Sequence, residues 1–250
     1  MSQTRPFVLS LAGFDPSGGA GLIADMKTFE HHQVYGLGVL TANTIQTEDT
    51  FIAIQWEKRD YILQQLEVLA KRYHPRVIKI GIVESGLELL HYIDAIKHSI
   101  PRAFIIWDPV LRSSTQFDFT ANIDEQTLLT ILKQIDLITP NYMEMNQLVG
   151  TDDTPLEKAA SLRGVCAVLL KGGHHPKTKA VDHLFTAEET HTFYPQQVFP
   201  RGKHGTGCIL SSSIGSHIAL EYPLYQAVHK AKQYVEQILS SNSTLLAYHG

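Results

Sequence analysis

The 250-residue sequence predicts an α/β fold in which a central, mostly parallel β-sheet is covered on both faces by helices. Three observations carry that prediction. Short, nearly continuous apolar runs recur along the chain, as expected of strands buried on both faces. Longer amphipathic segments separate them, so strand and helix alternate as in βαβ units. Glycines, prolines and polar residues that interrupt the pattern fall repeatedly just after the apolar runs, where ligands bind in open α/β sheets.

Taken in order, "FVLSLAG" (7–13) reads as a buried strand ending in glycine, and "GLIADMKTFEHH" (21–32) as a helix. "GLGVLTANTIQ" (36–46) is rich in β-formers and precedes a helix near 58–73. "RVIKIGIV" (76–83) is a strand, "SGLELLHYIDAIKH" (85–98) opens a helix, and "AFIIWDPV" (103–110) is a strand stopped by Asp108 and Pro109. "DEQTLLTILKQ" (124–134) is helical, "DLITPN" (136–141) a short strand, and "YMEMNQLVG" (142–150) a helix closed by Gly150. "PLEKAASLRG" (155–164) and "VCAVLLKGG" (165–173) repeat helix then strand; 180–198 forms a hairpin and 205–240 two helices. With no internal repeat or low-complexity linker, one domain over 1–250 is expected.

Composition narrows the function classes. Hydrophobic content of 44% with 18% charged residues suits a globular core. A formal net charge of −4 gives no basic footprint for nucleic acid, and no basic run would hold an anionic membrane. The apolar stretch near the N-terminus is too short for a membrane span. A cytoplasmic protein is expected. Two cysteines, Cys166 and Cys208, make no disulfide framework or zinc spacing. The pairs His31-His32 and His174-His175 lack metal spacing and are expected to be solvated or capping residues.

Several motifs sit at the strand ends. "GFDPSGGAG" (13–21) has neither P-loop nor dinucleotide spacing, but its glycines permit close approach to a small ligand. Asp15 in it is either a ligand contact or a turn residue. Asp25 falls in the first turns of a helix, where the dipole favours a carboxylate. Asn141 and Glu144 have the spacing of a capping box, and equally of oxygen donors to Mg²⁺ through water. Lys171, Gly172 and Gly173 suit a nucleotide contact or a turn. "KHGTGCILSSSI" (203–214) places Gly205, Thr206, Gly207 and Cys208 at a helix start, reading as an anion site with a thiol at its mouth. A glycine turn before a core cysteine is the alternative.

Together "AGFDPSGGAGLIADMKTF", "TANTIQT", "IKIGIV", "WDPV", "ITPNYMEMNQLVG", "LLKGGH" and "KHGTGCILSSSI" resemble the hydroxymethylpyrimidine/phosphomethylpyrimidine kinases of thiamine biosynthesis, nearly end to end. The resemblance implies a ribokinase-like three-layer sandwich with little separate lid, usually dimeric. It implies transfer of the ATP γ-phosphoryl group to 4-amino-5-hydroxymethyl-2-methylpyrimidine and then to its monophosphate. Small-molecule substrates, ATP and Mg²⁺ are thus expected, with no nucleic-acid or membrane partner. By the same resemblance, Gly205, Thr206 and Gly207 form the anion hole, and Cys208 stands where many relatives carry an aspartate base. A thiol at a helix N-terminus has a lowered pKa, which would suit that role.

The resemblance further gives Gln46 the aminopyrimidine edge, with Gly13, Asp15, Ala20 and Val110 lining the pocket and Ile82 packing on the ring. Asp108, Asn141 and Glu144 lie on the Mg²⁺ side, and Lys171, Gly173 and Thr206 near the nucleotide. Three positions depart from the family's pattern. Phe14 stands where serine is common and is expected to narrow or reshape the pocket. "LRSSTQ" (111–116) replaces a Lys-Ser-Gly-like stretch, with Arg112 as a substitute cation, and Ile82 replaces a common methionine. A pyridoxal or pyridoxine kinase is the nearest rival, against which Gln46 favours the pyrimidine. A non-catalytic pyrimidine-binding regulator is the other alternative, against which the retained phosphoryl-transfer residues speak.

Overall fold

A computed structural model describes residues 5–111, 119, 123–174 and 180–250. Its nine-stranded sheet runs β3 (Phe51–Trp56), β2 (Tyr35–Gln46), β1 (Phe7–Phe14), β4 (Val77–Ile80), β5 (Phe104–Trp107), β6 (Leu137–Ile138), β7 (Ala167–Leu170), β8 (Asp182–Phe185), β9 (Thr190–Phe193). The ladders from β2 to β7 are parallel, while β3, β8 and β9 pair antiparallel at the two margins. The expected mostly parallel sheet is therefore present. Eight α-helices accompany it among the described residues: α1 (Gly21–His31), α2 (Arg59–Arg72), α3 (Gly86–Ser99), α4 (Glu125–Leu132), α5 (Tyr142–Leu148), α6 (Pro155–Leu162), α7 (Thr206–Ala219) and α8 (Leu224–Ser240).

The two-residue period of the strands sorts side chains between two cores. Leu9, Leu11, Ile78, Ile80, Ile105 and Trp107 join the cluster built with α2 to α6. Val8, Val77, Ile106, Leu137 and Leu169 point the other way, into the cluster built with α1, α7 and α8. Successive strand residues alternate faces, so an unbroken apolar run serves both layers. The result is the three-layer sandwich.

The same alternation places two polar residues in the second layer. Ser10 is two positions after Val8, Lys79 is two after Val77, and the β1–β4 register pairs Ser10 with Lys79. Both are fully buried. They meet Asp25 of α1, whose carboxylate accepts Ser10 Oγ at 2.6 Å and Lys79 Nζ at 2.8 and 3.0 Å. Ser212 of α7 also donates to Asp25. Asp25 thus has a buried ion pair to explain it, where the sequence had offered only the helix dipole.

One element differs from expectation. β3 was not foreseen, because residues 51–56 lie at the sheet margin and show neither an unbroken buried run nor clean alternation; Ile52 there is 67% exposed. His32 is half-buried and stands at the C-cap of α1, one of the two readings the sequence offered. Its ring packs on His217 and Tyr234, its Nε2 lies 2.8 Å from Ser213 Oγ, and burial with neighbouring histidines pushes its pKa down to about 3. Arg112 and His175 lie outside the described residues.

Candidate active site

The rim formed by the C-terminal strand ends opens on a cavity of about 940 Å³. All the residues assigned above to substrate, nucleotide, metal or anion hole line it, including both Gln46 and Cys208. Lys79, Lys203, His204 and Lys232 line it as well.

Two glycine-containing loops meet at one wall. Gly205 has φ +75°, and a Cβ there would come within 2.0 Å of Gly19 O, so this position requires glycine twice over. Asp15 fastens the loops together. Its carboxylate accepts Ser17 N at 2.9 Å, Gly19 N at 3.1 Å and Ala20 N at 2.8 Å, and Oδ2 lies 2.9 Å from His204 Nε2. Ser17 Oγ donates to it as well. Burial would raise the carboxyl, but the bonds from His204, Ser17 and Ala20 lower it to about 2. With both oxygens engaged inside the protein, Asp15 joins the two loops at the wall of the cavity it was expected to line.

Beyond Gly205, α7 begins without any side-chain cap. The first amides of an uncapped helix lack acceptors and carry the positive end of its dipole. Thr206, Gly207 and Cys208 bring that feature to the cavity. Farther along, three consecutive serines tie α7 to the end of β5 and, twice, to α1 and its C-cap. Ser211 donates to Asp108 at 3.0 Å, Ser212 to Asp25, and Ser213 pairs with His32.

The thiol departs from expectation. Enclosure raises Cys208, Lys79 opposes it, and Asp108 and Asp25 raise it further, so it stands at about 11 despite an amide bond from Gly21. Its lowered pKa does not survive because enclosure and two carboxylates outweigh the helix terminus and one ammonium.

Across the cavity, β5, β6 and β7 end side by side and deliver Asp108, Asn141 and Lys171. Lys171 Nζ lies 2.8 Å from Asp108 Oδ1 and 3.9 Å from Glu144 Oε2. Asp108 also accepts Thr139 Oγ1 at 2.9 Å. Burial would raise Asp108, but Lys171 and Lys79 hold it below the usual carboxylate range. Glu144 is pushed up to about 7, chiefly by burial, with Lys171 opposing and Asp108 adding. Burial works against the Lys171 ammonium, yet Asp108 and Glu144 keep it above the usual lysine value.

Asn141 makes the full capping box of α5. Its Oδ1 accepts Met143 N at 2.8 Å and Glu144 N at 3.0 Å, while Glu144 Oε2 accepts Asn141 N at 2.7 Å. That oxygen is accordingly occupied. Among the described residues no three or more His, Cys, Asp or Glu form a metal cage. Two adjacent carboxylates, one of them readily protonated, still match the way Mg²⁺ is held by one or two carboxylates together with water and phosphate oxygens.

On the substrate side, Gln46 ends β2, and its Nε2 donates to Thr44 Oγ1 at 2.9 Å, which in turn donates to Phe14 O at 2.7 Å. Ile82 lies directly over Gly13, where a Cβ would meet Ile82 Cδ1 at 2.4 Å. Phe14 is 38% exposed and is not among the lining residues, so it does not narrow the pocket. Near the nucleotide side, Asp182 accepts Gly172 N at 2.8 Å and Lys232 Nζ at 2.6 Å, fastening the turn after β7 to α8. Lys79, Ser211, Asp182 and Lys203 were all missed in the sequence, and the buried partners of Asp25 with them. The available signal was an isolated charge, or a run of serines, inside an otherwise apolar element.

Comparison with known proteins places the chain in a family. Residues 15–250 match the family described as phosphomethylpyrimidine kinase. A hydroxymethylpyrimidine/phosphomethylpyrimidine kinase of Aquifex aeolicus (strain VF5) is 31% identical over 245 residues, covering 95% of each chain. The crystal structure of a phosphomethylpyrimidine kinase from Clostridium difficile 630 is 29% identical with TM-score 0.78, over 93% of this chain and 99% of that one. A pyridoxal kinase from Staphylococcus aureus in complex with pyridoxal has TM-score 0.86 at 23% identity, over 98% and 94% of the two chains. That last likeness concerns the fold alone.

Proposed function

The chain belongs to the phosphomethylpyrimidine kinase family, and from that premise we propose how its cavity carries out the reaction. It is a phosphotransferase that moves the ATP γ-phosphoryl group to 4-amino-5-hydroxymethyl-2-methylpyrimidine and to its monophosphate, in thiamine biosynthesis. The observation that carries the residue assignments is that Gln46 and the start of α7 open on one cavity.

Gln46 binds the aminopyrimidine edge, since a side-chain amide both donates and accepts. Ile82 over Gly13 supplies the apolar wall for the ring, with Ala20 and Val110 beside it, and Asp15 holds the adjoining loops in place. The amides of Gly205, Thr206 and Gly207 receive the migrating phosphoryl group. Transfer of this kind depends on positioning and electrostatics, with charge spread over the phosphoryl oxygens, so amides fixed in advance act throughout the step. Thr206 also meets phosphate, and Lys171 and Gly173 face the nucleotide.

Mg²⁺ supplies neutralisation of phosphate charge when bound. Glu144 and Asp108 would hold it, partly through water, and Asn141 serves by orienting Glu144 through the capping box. The thiolate of Cys208 accepts the hydroxyl proton as the new P–O bond forms and the bond from the γ-phosphorus to the departing ADP oxygen breaks. With its thiol at about 11, little thiolate is present at neutral pH, so the base contributes less of the rate than the anion hole and the cations.

We further read the protein as a cytoplasmic homodimer of single-domain subunits. The β3 margin, with exposed Ile52, favours an interface there, because an unpaired strand edge invites pairing. ADP release with each ring substrate tests the function. Turnover with the pyrimidine well above that with pyridoxal is expected; brisk turnover with pyridoxal alone would reassign the chain to vitamin B6 salvage, and turnover with neither would favour a regulator.

A further inference from the structure

Lys203 stands two positions before Gly205, and the residue is only 8% exposed. An ammonium has three hydrogens to donate and accepts none. All the acceptors it meets are uncharged oxygens of the segment after α8: Asn242 O at 2.9 Å, Asn242 Oδ1 at 2.8 Å and Thr244 O at 2.5 Å. Among the described residues it makes no ion pair. Buried lysines are normally paired, because desolvating a charge is costly without an opposite one nearby. Burial draws this ammonium below the usual lysine pKa.

The adjoining backbone is fastened by the same segment. His204 N donates to Leu245 O at 3.0 Å, and Leu246 packs where a Cβ on Gly19 would lie. Lys203, His204, Gly205 and Leu245 all line the cavity. A positive charge that makes no ion pair among the described residues therefore sits beside the loop that opens α7, where the nearby Asp15 carboxylate is bonded to His204 instead. Charges enclosed by protein are screened less than those in water, so its field reaches neighbouring anions.

We propose that Lys203 is a built-in cation of the anion hole, an ammonium caged by the neutral oxygens of Asn242 and Thr244 that stabilises negative charge on the transferring phosphoryl group while fixing the Gly205 loop. This rests on the assignment of residues 205–207 to the anion hole. Lys203 is a positioning residue with an electrostatic share in the reaction. Removing its side chain would leave an oxygen-lined space of the kind that hosts a small monovalent cation.

The test compares steady-state phosphorylation of the pyrimidine by the full chain, Lys203→Gln and Lys203→Ala. Glutamine keeps two of the three donors for the carbonyl cage and removes the charge. Expected are a fall in kcat of about a hundredfold in Lys203→Gln with KM values nearly unchanged. Recovery of several-fold is expected in Lys203→Ala on adding ammonium chloride but not choline chloride, with the unaltered chain unresponsive. A Lys203→Gln enzyme at the unaltered kcat overturns the proposal. So does loss of kcat in both variants without any ammonium response, which would leave Lys203 a purely structural tie. If Lys203→Ala does not fold, by its thermal melt, Lys203→Gln decides through kcat. No turnover by the unaltered chain would instead overturn the functional reading beneath it, and this proposal with it.

Discussion

Lys79 and Asp25 form an ion pair at 2.8 Å in which neither side chain has any exposed surface. The pair sits beneath the cavity, joins β4 to α1, and is tied by Ser212 to the helix that carries Cys208. Removing one member leaves the other charged and buried. Lys79→Met should therefore destabilise the protein by about 3–5 kcal/mol. The double variant Lys79→Met with Asp25→Asn should lose less than the sum of the single variants. Urea denaturation of the four proteins checks this, and additive losses would mean the pair is not coupled.

Asp15 gives a prediction about acid. Its pKa stands at about 2 against 3.8 for the free side chain, so its stabilising effect is complete above about pH 4. That effect is lost as pH falls from about 4 towards 2, when the folded carboxylate must protonate. The shift corresponds to roughly 2 kcal/mol. Asp15→Asn should be less stable by about that amount at neutral pH, with the gap closing below pH 4. A gap independent of pH would deny the carboxylate its role in joining the loops.

Glu144 has the opposite sign. Its pKa is raised from 4.5 to about 7, so ionising it in the folded protein subtracts stability as pH climbs from 4.5 through 7. Catalysis needs that ionised form to meet Mg²⁺. In the unaltered enzyme kcat/KM at low Mg²⁺ should rise through about pH 7, whereas Glu144→Gln should show a flattened step and require roughly tenfold more Mg²⁺. Rate profiles from pH 5.5 to 8.5 at several Mg²⁺ concentrations decide it, and identical profiles would remove Glu144 from the metal side.

For Cys208, alanine should lower kcat by about a hundredfold with little change in KM. Because the thiol stands at about 11, the rate of the unaltered enzyme should keep rising above pH 8, and that rise should vanish in Cys208→Ala. Equal turnover would reduce the thiol to packing.

The strand ends were readable because buried parallel strands leave unbroken apolar runs, and the polar residues at their tips interrupt them. The rim assembled as expected for that reason. β3 escaped because a margin strand half open to solvent carries no such run. The electrostatics were less legible. Lys79 looks like an interruption of "VIKI" until register sets it against Ser10 and α1 covers both. The Cys208 pKa depends on Asp108 and Asp25, which lie 100 and 183 residues away in the chain. Asp15 was found correctly as a special residue, but only three-dimensional packing shows that its oxygens are already occupied.

The most direct measurement is a crystal structure of the protein with 4-amino-5-hydroxymethyl-2-methylpyrimidine and a non-hydrolysable ATP analogue. The expected result has the ring edge on Gln46, the terminal phosphate against the amides of residues 205–208, and the hydroxymethyl oxygen between that phosphate and Cys208. A terminal phosphate bound away from the start of α7, or a ring with no contact to Gln46, would contradict it.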